Sequence, residues 1–372
     1  MRIYYSILFL GCLFLIYSCN SKQRGQQQES SSDSAKIEVD EMPHLSDLET
    51  GEVFYKSKDP FGETIELQGK QIEADTVIFR VSGTEMLVRD NILLMKNRGS
   101  LMLFELPDFK FLGYRGTYGQ GPNELASPHL VSTQDDNDLF YVFESTKQTL
   151  FKIDDKNEFI PYPFAFNKSA QPTYSDKQLV NVSPNDFLYV ETTSKGKSIF
   201  RTVNDGDSVV TREVFNLALN PNRKSWVAYI GDFAANPKQN RMVYAYKYFK
   251  MIKFMDMDAK SIRTVNFERD TFDDTSPYRM DGMDSNITHY WGVASQDNYV
   301  YFLYSGRTPM EVGREASKGN RYIYVEQYDW NGTPIHKYKL DQWGYFTVDE
   351  KNKKIYLAST NHDDPFFIYD LP

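Results

Sequence analysis

Leu139-Phe140-Tyr141-Val142-Phe143 is five apolar side chains in a row, entered through the polar turn Asp135-Asp136-Asn137-Asp138. A run of that length, bounded by turn residues, suits a strand buried on both faces. It does not stand alone. Ile92–Met95, Phe187–Val190, Met242–Tyr246, Tyr299–Tyr304 and Ile355–Ala358 are runs of the same kind. Successive starts of the six runs lie 47, 48, 55, 57 and 56 residues apart. A period of this size marks one supersecondary unit repeated along the chain.

Each run holds the same place in its unit. A half-apolar strand precedes it: Met86–Val88, His129–Val131, Gln178–Val182, Trp226–Ile230, His289–Ala294 and Trp343–Val348. Turns such as Arg89-Asp90-Asn91 and Pro184-Asn185-Asp186 join the two, using residues that tolerate tight hairpin geometry. A third strand follows at Leu101–Leu106, Thr149–Ile153, Ser198–Val203, Lys250–Met255, Tyr322–Tyr328 and Pro365–Leu371. Five units continue into a more polar fourth strand: Phe109–Tyr114, Glu158–Phe164, Val209–Phe215, Ile262–Phe267 and Ile335–Leu340. The pattern predicts an all-β fold over residues 45–372, a six-bladed β-propeller of four-stranded antiparallel blades. A pair of β-sandwiches accommodates six similar units less well. The sixth unit has only three strands, while strand-like residues at Glu63–Leu67 and Thr76–Val81 precede the first. An N-terminal strand, with Thr76–Val81 preferred, is therefore expected to pair with Pro365–Leu371 and close the ring, which removes two exposed edges at once.

The N-terminus reads differently. Met1-Arg2 is followed by an apolar run from Ile3 to Tyr17 and then by Ser18-Cys19. One positive charge before about fifteen apolar residues is a secretory signal pattern, and the run is short for a spanning helix. Leu15-Ile16-Tyr17-Ser18-Cys19 resembles a lipobox, with Tyr17 bulkier than that pattern prefers. Residues 1–18 are thus expected to leave as a signal peptide, and Cys19 to carry lipid that holds the protein on a membrane. The other cysteine, Cys12, leaves with the signal. No cysteine pair remains, so the fold relies on its own core. Residues 19–44 are rich in Gln, Ser, Glu and Lys, and read as a flexible tether spanning roughly 25–30 Å.

Removing Arg2 with the signal takes the net charge from −9 to −10, from 51 acidic and 41 basic residues. That balance, with no long basic cluster, argues against nucleic acid as a partner. Asn20 follows the lipid cysteine where an inner-membrane retention signal has Asp, and Asn20–Arg24 is basic rather than acid-rich. Both features point to the periplasmic face of the outer membrane.

Gly119-Gln120-Gly121-Pro122-Asn123-Glu124-Leu125, just after the first unit, resembles the Gly-x-Gly-Pro-x-Glu-Leu/Phe element of TolB-like six-bladed propeller lipoproteins of Bacteroides-type bacteria. Leu303-Tyr304-Ser305-Gly306 and the ending Tyr328-Asp329-Trp330-Asn331-Gly332-Thr333-Pro334 are similar to that family too. The resemblance covers about Val53 to Pro372. It implies the propeller and an exported lipoprotein, and says little about activity.

Few residues signal chemistry. In the Gly119–Leu125 element the glycines allow positive φ and Pro122 fixes the next angle, so the first reading is a turn steering the chain between blades. Glu124 would cap that turn or point at the central channel. Arg115 and Tyr118 beside it, and Tyr290 and Trp291 at the central end of the fifth unit, are the other candidate ligand contacts. The five histidines show no ligand spacing, and the acidic loops match no calcium pattern, so no metal and no cofactor are expected. No nucleophile motif appears and no catalytic residue is assigned. The loops Ser305–Arg321 and Asp270–Thr288 are long enough to form a partner-contact surface. Asp33-Ser34-Ala35 resembles a Bacteroides-type O-glycosylation acceptor.

These readings favour a lipid-anchored binding or scaffolding module for a protein or glycan partner. The alternative is a glycan-active hydrolase or lyase with its site at the channel mouth. A cluster of Asp, Glu, His or Arg at one mouth would favour the second, and a bland mouth beside a large loop-built face the first. The anchor is directly testable: Cys19→Ser should move the protein from the membrane to the soluble envelope fraction, and unchanged membrane association would refute lipid anchoring. Protease treatment of intact cells should spare the propeller, and its rapid loss would place it outside the cell.

Overall fold

The computed structural model describes residues 37–38, 51–56, 59–73, 79, 81, 83–133, 138–164, 166, 177–194, 196–206, 208–223, 226–268, 271–273 and 285–372. The signal segment, Cys19 and Asp33-Ser34-Ala35 lie outside them. Six small antiparallel sheets follow one another along the chain. Blade 1 is Met86–Arg89, Ile92–Asn97, Ser100–Glu105 and Lys110–Arg115. Blade 2 is Pro128–Val131, Asp138–Glu144, Thr149–Asp154 and Phe159–Tyr162. Blade 3 is Gln178–Ser183, Asp186–Thr193, Gly196–Asn204 and Val209–Asn216. Blade 4 is Gly231–Asn236, Arg241–Tyr246, Met251–Met255 and Ile262–Asn266. Blade 5 is Thr288–Ser295, Tyr299–Arg307, Ile323–Asp329 and Pro334–Leu340. Blade 6 is Gly344–Asp349, Lys354–Ser359 and Phe366–Asp370, with a fourth strand from elsewhere.

The apolar runs form the second strand of every blade. Leu93, Leu94, Val142, Leu188, Val243, Phe302 and Ile355 are fully buried. Each such side chain contributes about 1.5–3 kcal/mol on burial. Alternate residues of one strand enter different clusters. Leu94 packs with Phe140 and Val142 of blade 2, while Leu93 and Met95 pack with Tyr356 and Phe366 of blade 6. Burial on both faces is why these strands read as unbroken apolar runs.

The fourth strand of blade 6 is Lys70–Ile72, antiparallel to Phe366–Ile368. The ring is therefore closed by an N-terminal strand, but not by the one expected. Thr76–Ile78 lie outside the described residues, and Phe79 and Val81 pack as side chains against the cluster around Phe366. Ile65–Leu67 instead adds in parallel to the outer strand of blade 5. Gly51–Phe54 does the same at blade 4, with Ile37–Glu38, inside the stretch expected to be tether, paired beyond it. Polar contacts fix the strap to each blade. Glu52 accepts from Asn266 at 2.8 Å, Lys337 meets Asp59 at 2.8 Å, and Lys339 meets Glu66 at 2.8 Å. Phe61 adds an edge contact to the buried Tyr328, with ring centroids 5.2 Å apart.

Two other elements depart from expectation. Trp226–Tyr229 is a turn of 3₁₀-helix, and the inner strand of blade 4 starts later, at Gly231. Tyr229 anchors that turn, its hydroxyl donating to the Asn220 carbonyl at 2.8 Å. A Cβ at residue 231 would lie 2.2 Å from the Ala245 carbonyl oxygen, so the strand begins where only glycine fits. Pro309–Ser317 is an α-helix inside the long loop of blade 5. Thr308 accepts from the Glu311 amide, Glu311 accepts from the Thr308 amide, and Pro309 begins the helix, a complete capping box.

Deleting residues 365–372 removes the strand that joins Lys354–Ser359 to Lys70–Ile72. The truncated protein should lose its cooperative thermal transition by calorimetry. A transition at the full-length temperature would show that the ring does not depend on this closure.

Candidate functional site

The six inner strands converge on a central channel. Its upper end, where those strands begin, opens into a cavity of 550 Å³. Every blade contributes to it: Glu85, His129, Gln178, Asp232, Trp291 and Tyr345 are one residue from each. The lower end holds a second cavity of 410 Å³. Leu87, Ser132 and Ser295 line both and mark the waist.

The polar side of the upper cavity is organised by Glu85. Its carboxylate accepts from Lys96 Nζ at 2.6 Å, from His129 Nδ1 at 2.9 Å and from the Leu130 amide at 2.7 Å. Burial works to raise this carboxyl, but the hydrogen bond from His129 and the charges of Lys96 and His129 outweigh it, leaving Glu85 below its ordinary value. Glu85 is thus an anion already occupied by three donors, tying blade 1 to blade 2 and fixing the His129 ring. Gln178 makes the corresponding tie between blades 3 and 4, donating to the Gly231 carbonyl at 2.9 Å.

Asp232 has the opposite character. It is partly buried in the cavity wall. Burial pushes its carboxyl up to about 6, with the charge of Lys247 offsetting part of the effect. A group poised there can accept a hydrogen bond as carboxylate or donate one as acid near neutral pH.

The aromatic side is built by a backbone irregularity. In blade 5 the inner strand pairs Tyr290 with Tyr304 and next Val293 with Phe302, so one extra residue is accommodated at Trp291-Gly292. A compensating shift lies between Thr288 and Tyr290. Opposite it, Gly306 takes φ +66°, where a Cβ would lie 2.5 Å from the Tyr304 hydroxyl. Successive strand residues face opposite sides, and the extra residue lets Trp291, Gly292 and Val293 all line the cavity. Trp291 lines the cavity, whereas Tyr290 is fully buried and donates to Glu326 at 3.1 Å. The Trp291 ring lies 5.5 Å from Tyr345.

The lower cavity is lined by hairpin turns bonded to one another. Arg89 donates to the Thr133 carbonyl, and Asn298 donates to Glu350 through both its amide and its side chain. The upper cavity is the better candidate because it holds a carboxyl with a raised pKa and an aromatic wall.

The candidate contacts read from sequence separate. Trp291 is in the cavity. Tyr290 is in the interface of blades 4 and 5. Arg115 ends the outer strand of blade 1 and donates to the Asn157 carbonyl. Tyr118 is 70% exposed between blades 1 and 2. Glu124 folds back to accept from the Gly121 amide at 2.7 Å. Gly119 and Gly121 are not at positive φ. A Cβ at 119 would lie 2.0 Å from the Glu124 carboxylate and would push that side chain aside. Lys147 clamps this turn through the Gly121 and Glu124 carbonyls. Glu85, His129 and Asp232 were not legible as a site: they are scattered over 148 positions, and only the ring brings them together. Among the described residues no group of three or more His, Cys, Asp or Glu is gathered as metal ligands. Asp274, Asp281 and Asp284 of the loop joining blades 4 and 5 lie outside the described residues.

With six blades, a closed ring and the glycine-rich turn in place, comparison with known proteins is decisive for the family. The chain belongs to the TolB-like 6-blade propeller-like family, whose model matches residues 61–351. Among solved structures, this TolB-like chain is similar to a Bacteroides fragilis protein whose name suggests export, at 11% identity and a TM-score of 0.50, covering 86% of this chain and 99% of that one. It is also similar to a member of the DUF4221 family from Bacteroides vulgatus, at 13% identity and a TM-score of 0.48, covering 82% of this chain and 96% of that one. Identities this low speak of fold alone. No curated protein matches the chain.

Asp232 gives this TolB-like channel a testable pH signature. The unfolded carboxyl titrates near its ordinary value and the folded one near 6. As pH rises through that window the unfolded chain loses its proton first, so stability falls, and the loss is constant above it. Asp232→Asn should therefore gain about 1–3 kcal/mol in denaturant unfolding at pH 7.5 and lose that gain by pH 4. A gain independent of pH would show that the carboxyl is not held up by burial.

Proposed function

We propose that this protein is exported, anchored through lipid on Cys19 at the periplasmic face of the outer membrane, and acts as a non-catalytic binding module for a glycan or protein partner. The ligand site in this reading is the upper channel cavity. The observation that carries it is the split character of that cavity, with Trp291 and Tyr345 on one side and Glu85, His129, Gln178 and Asp232 on the other. Ligand sites in rigid folds have this composition, an apolar wall for affinity and a few placed polar groups for orientation. With lipid on Cys19, a flexible tether would hold such a receptor within a few tens of ångströms of its membrane.

A second reading, a glycan-active hydrolase or lyase, draws on the same cavity. It gathers two carboxyls and a histidine at one mouth, and their environments push the carboxyls in opposite directions. That separation is the usual basis for assigning an acid and a base. Against it, the Glu85 carboxylate already has three donors, which suits a positioning role.

A glycan array and an activity screen on the full protein decide between them. Binding should occur without turnover, and Trp291→Ala should weaken it at least about tenfold. Turnover abolished by Asp232→Asn would establish the enzyme. Binding untouched by both substitutions would place the site elsewhere on the molecule.

A further inference from the structure

Of the charged side chains that line the upper cavity, all but one are paired. Glu85 holds Lys96 and His129, and Lys177 Nζ meets Gln148 at 3.0 Å and Glu191 at 3.4 Å. Asp232 is the remaining charged residue of the lining. Among the described residues no hydrogen bond or ion pair reaches its carboxylate, and its oxygens open on the cavity and are not sealed in the wall. Lys247 acts on it through charge alone, from a place over the Tyr248 ring. The Tyr244 hydroxyl, which feels the same charge, is spent on the Tyr229 carbonyl at 2.6 Å. Blades 3 and 5 on either side present Gln178 and Trp291, neither of them charged.

This pairing narrows what can bind. A metal ion needs several ligands, and among the described residues Asp232 is not gathered with two other His, Cys, Asp or Glu. An anionic ligand would find Lys96 and Lys177 already taken by Glu85 and Glu191. A lone carboxylate calls for a donor, and a cationic donor bonds it more strongly than a neutral one. The lining on both sides of Asp232 is apolar, with Leu179 and Val180 on blade 3 and Val293 on blade 5. At 550 Å³ the cavity is in the size range of small-molecule sites.

We propose that the upper cavity takes a ligand with one protonated primary amine, which donates to Asp232, on an otherwise uncharged body that fills the apolar part. The proposal rests on the cavity being a ligand site and names the group that enters it. One unpaired carboxylate matches one ammonium. A second positive charge on the ligand, as in a diamine, has no carboxylate to meet, and a carboxylate on the ligand, as in an amino acid, has no unpaired cation. The amine can belong to an amino sugar or to a small arylalkyl amine, since both bring the same group to Asp232.

Titration calorimetry on the full protein in non-ionic detergent tests this with glucosamine and tyramine, the N-acetyl form of each, and tyrosine. At least one of the two amines should bind, and which one does tells the amino sugar from the arylalkyl amine. Its N-acetyl form should bind at least about tenfold more weakly, and tyrosine more weakly than tyramine. The amine should lose about tenfold in affinity between pH 7.5 and pH 5, because the Asp232 carboxyl titrates at about 6 while the amine stays charged. Asp232→Asn should remove the preference for the amine, and its melting at or above the wild-type temperature controls for folding. The comparison of amine with N-acetyl form uses the wild-type protein and needs no variant. Equal affinity for the two forms, no binding of either amine, or amine binding unchanged in Asp232→Asn would overturn the proposal. A neutral ligand weakened by Trp291→Ala and untouched by Asp232→Asn would also overturn it and keep the cavity reading.

Discussion

The ring depends on one strand pairing, Lys70–Ile72 against Phe366–Ile368. Six sheets in sequence have two free ends, and each would expose an apolar blade face and an unpaired edge. Joining positions nearly 300 residues apart costs loop-closure entropy, but that cost grows only with the logarithm of the separation. The strap reduces it further by stepping across blades 4, 5 and 6 in turn, held at each by a polar contact and by Tyr55 and Phe61 in the core. Once the ring is shut, six inner strands face one axis, and the channel follows from the closure.

A closed ring can also hold local arrangements that a lone sheet would relax. The shifted register at Trp291-Gly292 and the raised carboxyl of Asp232 both cost stability, and both lie on the lining of the upper channel. A shifted register and a raised carboxyl meeting at one cavity are the kind of local cost that accompanies a functional site. The lower end shows the contrast, since its turns satisfy one another through Arg89, Asn298 and Glu350.

The second strands were legible because burial on both faces leaves an unbroken apolar run. The strands that make the site were harder to read for the converse reason. The inner strand of blade 4 carries Asp232, so the more apolar Trp226–Ile230 took its place in a reading based on hydropathy. The closing strand, Lys70-Gln71-Ile72, is polar because it is an edge held by backbone hydrogen bonds, whereas Thr76–Val81 had the more strand-like composition. The helix after Arg307 lacks buried residues, yet Thr308-Pro309-Met310-Glu311 carried its full capping signal. Trp291 could be singled out by its place in the fifth unit. Alternation separates it from Tyr290, but which of the two faces the channel depends on the pairing register, which one strand's sequence does not fix. The convergence of Glu85, His129 and Asp232 needs the closed ring, which no local window contains.

The central claim is that the upper channel cavity is where this propeller meets its ligand. Amide hydrogen exchange with and without an envelope glycan fraction tests it most directly. The account predicts added protection at the starts of the inner strands, around residues 83–87, 129–130, 177–180, 231–234, 290–293 and 344–346, with the lower hairpins unchanged. Protection confined to the lower hairpins or to the outer strands would contradict it.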